Sequence, residues 1–128
     1  MKLLLDTHIW IWLLHSPERL GRRARHELGD QANELWVSPV STWEALMLHR
    51  KKRVELSPDF LAWLRQSAPG FVQAPFTHEI VLAAELLDMH ADPADRFLAA
   101  TAQVLDLTLV TADQQLLGFG RIRTMANR

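Results

Sequence analysis

Apolar positions along the chain fall into short continuous runs separated by segments of helical spacing, the pattern of buried strands alternating with amphipathic helices. Leu3 to Leu5 is the first run and stops at Asp6, as a strand buried on both faces would. Ile9 to Leu14 predicts a helix ended by Ser16-Pro17, Ala24 to Leu28 a second short helix closed by Gly29, and Leu35 to Ser38 a second strand. Trp43, Leu46 and Met47 predict a helix between Pro39 and Arg50. Phe60, Trp63 and Leu64 do the same after Ser57-Pro58. Phe71 to Ala74, bracketed by Pro69, Gly70 and Pro75, reads as an irregular or edge strand. Ile80, Ala84 and Leu87 predict a helix from Thr77 to Met89, and Phe97, Ala100, Thr101 and Val104 a helix from Asp92-Pro93 to about Val104. Leu107 to Val110 is the most strand-like run, followed by a short helix from Asp113 to Leu117 and a last strand near Ile122.

This alternation predicts an α/β fold with a small, mostly parallel sheet covered on both faces, whose functional site lies beyond the carboxyl ends of the strands. Four acids share that address. Asp6 follows the first strand and Asp113 the strand ending at Val110; Glu44 and Asp95 fall in the first turns of helices that begin at the same edge. Three of them have structural alternatives. Ser41-Thr-Trp-Glu44 has the form of a capping box, Asp92 with Pro93 would cap the helix carrying Asp95, and Thr111 or Asp113 would cap the last short helix. Asp6, set between Leu5 and Ile9, needs water, a donor or a metal.

Composition narrows the chemistry. The 128 residues have room for one domain, and 48% hydrophobic with 23% charged residues excludes disorder. A net charge of -1 excludes a general basic coat, so a phosphate-rich partner must be held by a local patch or a metal. His49-Arg50-Lys51-Lys52-Arg53 is the one dense basic run, readable as a solvated helix end or as a contact for RNA backbone. Arg96 would orient a carboxylate or meet a phosphate. With no cysteine, thiol chemistry and thiolate zinc sites are gone. Clustered carboxylates need a cation or raised pKa values, and a hard-oxygen set points to Mg2+ or Mn2+ and to metal-assisted phosphodiester hydrolysis. Lys2 ahead of an apolar stretch imitates a signal peptide, but Asp6 and His8 interrupt it, and no apolar run approaches a membrane span. A soluble, cytoplasmic protein is expected.

Leu-Leu-Leu-Asp6-Thr7-His8-Ile9-Trp10, Val-Ser-Pro-Val-Ser41-Thr-Trp43-Glu44, Asp92-Pro-Ala-Asp95-Arg96-Phe-Leu-Ala-Ala and Leu-Val-Thr111-Ala-Asp113 together resemble the PIN-domain ribonucleases, and more narrowly the VapC-type toxins of toxin-antitoxin pairs. The resemblance runs over nearly the whole chain. It implies a three-layer α/β/α fold and an Mg2+- or Mn2+-dependent endoribonuclease acting on RNA. Asp6, Glu44 and Asp95 match the core acids, Asp113 the more variable fourth, and Thr111 a hydroxyl that supports them; Asp92 reads as a cap. A cognate antitoxin that blocks the site and homodimerisation through an apolar helical surface are implied as well. Trp36 and Trp43 are expected in the core, whereas Trp10 and Trp12 point apart, leaving one to reach a partner. His26, His49 and His78 have no expected catalytic role. A haloacid dehalogenase-type phosphatase would need a second Asp where His8 stands, and a receiver domain an acidic pair and a late Lys. The remaining alternative is a non-catalytic PIN-like module that binds RNA or protein.

Overall fold

In the computed structural model, which describes residues 1–89 and 92–128, five strands form one sheet in the order β3-β2-β1-β4-β5. β1 (Lys2–Leu5) is central, between β2 (Glu34–Val37) and β4 (Thr108–Thr111), with β3 (Val72–Gln73) and β5 (Thr124–Ala126) at the edges. Every pairing is parallel, with Leu4 opposite Trp36 on one side and Leu109 on the other.

Two apolar layers explain why the strand sequences are continuously hydrophobic. Successive side chains of a strand face opposite sides of the sheet. Leu3, Leu5 and Val110 enter one core with Ile9 and Trp10 of α1 (Thr7–His15), Ala45 of α3 (Pro39–Arg50), and Phe60 and Leu64 of α4 (Pro58–Arg65). Leu28 of α2 (Arg22–Gly29) closes the same side. Leu4 and Leu109 face the other way, onto Ile80 and Ala84 of α5 (His78–Leu86), Leu98 to Ala100 of α6 (Pro93–Leu105) and Leu116 of α7 (Gln114–Gly118). The result is the expected α/β/α sandwich. No helix among the described residues is long and apolar enough to cross a membrane.

Departures from the sequence expectation are local. α5 ends at Leu86 rather than Met89 because Arg96 of α6 collects the carbonyls of its last turn and of the residues beyond: Ala84, Glu85, Leu87 and Met89 all accept from its guanidinium, at 2.7 to 3.1 Å. The last strand lies at Thr124–Ala126, beyond Ile122, whose side chain packs against the α5/α6 core instead. Trp36 is half-buried, its indole N–H donating to Glu34 at 3.1 Å. Trp43, expected in the core, is 64% exposed. The buried face of α3 runs through Ser41 and Ala45, one turn apart, and Trp43, two residues from each, is carried to the opposite side. Trp10 is fully buried among Phe60, Trp63 and Phe71.

Gly21 is required by a close approach. The chain end folds back over it: Gly21 N–H donates to the Asn127 side chain at 2.8 Å, Ala24 N–H to the Arg128 carbonyl at 2.8 Å, and Asn127 donates to the Arg19 carbonyl at 3.0 Å. A Cβ on Gly21 would fall 1.7 Å from the Arg128 carbonyl carbon. Gly21→Ala should therefore displace this tail and destabilise the fold by about 1–3 kcal/mol, measurable as a lower denaturant midpoint; an unchanged midpoint would show that the tail does not contribute.

Candidate active site

Asp6 follows β1 and caps α1. Its backbone N–H continues the sheet by donating to Val110 at 3.0 Å, while Oδ1 accepts from Thr7 N–H at 2.8 Å. Oδ2 accepts from the Thr111 hydroxyl at 2.6 Å, across from the end of β4. The buried acid without an evident structural partner in the sequence thus has two donors. Thr111 Oγ1 in turn accepts from Asp113 N–H at 3.0 Å. Asp113 caps α7, one of its oxygens receiving Gln115 N–H at 2.8 Å and Leu116 N–H at 3.2 Å.

Glu44 does not belong to a capping box. Ser38 caps α3, accepting from Val40 N–H at 3.0 Å, with Pro39 at the first helical position. Glu44 is therefore in the second turn rather than the first. Ser41 is instead buried, and its hydroxyl accepts from that of Thr7 at 3.1 Å, tying the start of α1 to the face of α3 that carries Glu44. Asp95 stands in the first turn of α6, where its N–H donates at 2.9 Å to the capping carboxylate of Asp92.

These elements bring Asp6, Glu44, Asp95 and Asp113 to one open pocket of about 350 Å³ at the carboxyl end of the sheet. Asp92, His8 and Trp12 line it too. Asp92, expected only to cap, adds a fifth carboxylate, and Thr7 and Ser41 form a supporting hydroxyl pair. The sequence signals for these two were adjacency to Asp6 and a position one turn before Glu44. Arg96 does not face the acids, being engaged with the end of α5. His49 is structural: its Nδ1 accepts Leu56 N–H at 3.2 Å. Arg50 and Lys52 border a separate groove of about 900 Å³, together with Trp43, Met47 and Arg65.

Crowding of like charges shows in the proton affinities. Burial raises the Asp6 carboxyl above its usual range, with a smaller push from Asp113, against the lowering effects of Thr111, Thr7 N–H and His8. Burial likewise raises Glu44. Asp95 is pushed up to about 7, by burial first and then by the charges of Asp92, Asp6, Asp113 and Glu44. Such a pocket favours a cation. Among the described residues no three His, Cys, Asp or Glu side chains converge closely enough to hold a metal ion together. The donor set is nevertheless suited to Mg2+ or Mn2+, because a hard cation of this size is commonly held by one or two carboxylates, with waters and substrate phosphate filling the remaining positions.

Comparisons with known proteins give the family and the fold. A family model described as PIN domain matches residues 3–122. Ribonuclease VapC22 of Mycobacterium tuberculosis (strain ATCC 25618 / H37Rv) is 34% identical over 115 residues, 88% of each chain. Among solved structures, VapBC2 from Rickettsia felis, bound to a DNA fragment from their promoter, superposes with a TM-score of 0.72 at 15% identity, over 98% of both chains. DNA-bound VapBC from Salmonella typhimurium gives 0.70 at 18% identity, over 100% of this chain and 99% of that one. A toxin-antitoxin complex from Klebsiella pneumoniae gives 0.67 at 22% identity, over 98% of both. At these identities the structural likeness is one of fold.

Two outcomes are expected from the geometry. In metal-free protein, Asp95 binds its proton more tightly folded than unfolded, so its stabilising contribution is complete below about pH 4 and lost as pH rises through about 7. Denaturation across that range should show declining stability, and Asp95→Asn should flatten the decline and be more stable than wild type at pH 8 by about 1 kcal/mol; a parallel pH dependence in both proteins would contradict the assignment. Thr111→Val removes the donor to Asp6 and the acceptor for Asp113 N–H, and should lower stability by about 1–3 kcal/mol, with Thr111→Ser recovering most of it in the same unfolding assay.

Proposed function

Since the chain belongs to the PIN-domain family, we propose that it is a divalent-metal-dependent endoribonuclease, the toxin of a VapC-type toxin-antitoxin pair. The observation that carries this reading is the placement of Asp6, Glu44, Asp95 and Asp113, from four different elements, around one pocket, in a chain 34% identical to a ribonuclease over most of its length.

Asp6, Glu44, Asp95 and Asp113 would hold Mg2+ or Mn2+, which when bound supplies a lowered pKa for water and stabilisation of charge on a phosphoryl oxygen. The chain's own groups do the positioning. Thr111 and Thr7 N–H fix both oxygens of Asp6, so this carboxylate presents its remaining lone pairs in one orientation. Thr7 and Ser41 fix α3 against α1, and the Asp92 cap fixes the first turn of α6, so that Glu44 and Asp95 approach the pocket on anchored backbone.

The solved relatives are toxin-antitoxin complexes, which supports a cognate antitoxin that blocks the acidic pocket. Leu82 and Leu86, 55% and 76% exposed on α5, support a homodimer formed through that helix. A cytoplasmic location is part of this proposal.

Expression in a bacterial host should arrest growth and create discrete new RNA ends in the wild type alone, with soluble Asp6→Asn as the control. In vitro, Asp6→Asn should lower metal-dependent cleavage by about 100-fold or more, the scale of losing one electrostatic stabiliser. Mg2+ or Mn2+ should raise the melting temperature of the wild type more than that of Asp6→Asn. A wild type that binds RNA or a partner tightly yet cuts nothing at any Mg2+ or Mn2+ concentration would replace this reading with that of a non-catalytic binding module.

A further inference from the structure

Trp43 is the most exposed tryptophan that borders a concavity, and it borders two. On one side lies a cleft of about 340 Å³ walled by Pro39, Phe76, Pro93 and Phe97, with Phe76 and Phe97 edge to face at 5.1 Å. Among the described residues no charged side chain lines it. The cleft adjoins the acidic pocket through the chain itself: Trp43 precedes Glu44, and Pro93-Ala94 separate Asp92 from Asp95. On its other side Trp43 borders the groove that carries Arg50, Lys52 and Arg65, three exposed cations set against one exposed acid, Glu55. Acids, an uncharged aromatic slot and a cationic groove therefore follow one another across α3.

We propose that this slot takes an unpaired RNA base flanking the scissile phosphate, stacked on the Trp43 indole, and that the strand continues with its phosphates along Arg50, Lys52 and Arg65. The inference rests on the ribonuclease reading above and adds how the substrate is gripped. Single strands are held by this combination, an aromatic platform for the π-face of a base beside a positive track for its backbone. The acidic pocket repels phosphate unless a cation is present, so attraction for the strand has to come from neighbouring surface, and the groove beyond Trp43 supplies it. Seven of the described residues line the cleft, against the roughly 20–30 per side of a stable protein interface. Two prolines and the paired phenyl rings hold its walls with few rotamers to lose on binding.

The test uses full-length protein and a short single-stranded RNA spanning the cut site mapped in cells, intact or with an abasic nucleotide on either side of the cut. Trp43→Ala should raise KM for intact RNA about tenfold, with the loss in KM rather than kcat, and Trp43→Phe should recover most of it. Wild type on the abasic RNA should show the same raised KM, and Trp43→Ala should add nothing further there. An unchanged KM in Trp43→Ala, or equal losses on intact and abasic RNA, overturns the proposal while leaving the nuclease intact. Light scattering at assay concentration supplies the other arm: a dimer that becomes monomeric in Trp43→Ala with KM unchanged would reassign the cleft to contact between two copies. A wild type that cleaves no RNA would fail earlier and remove the ribonuclease reading itself.

Discussion

The site depends on one hydrogen bond between neighbouring strand ends, from the Thr111 hydroxyl to the Asp6 carboxylate. It is possible because β1 and β4 pair in parallel, so that both strands terminate at the same edge and Asp6, just past β1, meets Thr111, the last residue of β4. An antiparallel pair would have placed them at opposite ends of the sheet. The bond also offsets part of the desolvation that raises the Asp6 pKa, and it passes through Thr111 to Asp113 N–H. A single hydroxyl therefore sets the position of two of the four acids.

The remaining acids are fixed by helix starts. Ser38 and Asp92 cap α3 and α6, each with proline at the first helical position, so the directions of Glu44 and Asp95 are determined within a turn or two of anchored backbone. Placing carboxylates this way opposes stability. Their mutual repulsion, together with burial, holds Asp95 near neutrality in its proton affinity, an expected conflict where local folding preference and function compete for the same residues.

Much of this was legible in the sequence. Continuous apolar strand runs announced a sheet buried on both faces, and each acid fell next to a strand end or a helix start. What was not legible depended on partners far away in the chain. The Ser41-x-x-Glu44 spacing matched a capping box, but Ser38-Pro39 starts the helix three residues earlier, which turns Ser41 inward to Thr7. Arg96, beside Asp95 in the chain, points to a carboxylate or a phosphate as its partner, whereas the end of α5 and the residues just after it offer four carbonyls. Trp43 shared helical spacing with Leu46 and Met47, yet which arc of an amphipathic helix faces inward is decided by the sheet, and here Ser41 and Ala45 occupy it.

The Arg96 clasp ties together two parts of the molecule that have separate tasks. Its guanidinium holds the end of α5, the helix that exposes Leu82 and Leu86, and its backbone neighbour is Asp95. Any body resting on α5 that shifts its final turn must break the hydrogen bonds to Ala84 and Glu85 or draw Arg96 along, and with it the first turn of α6. A body that moved that turn would pull on the backbone next to Asp95, so binding on the outer helix would be felt at the position of that carboxylate, and the coupling would run equally in the other direction.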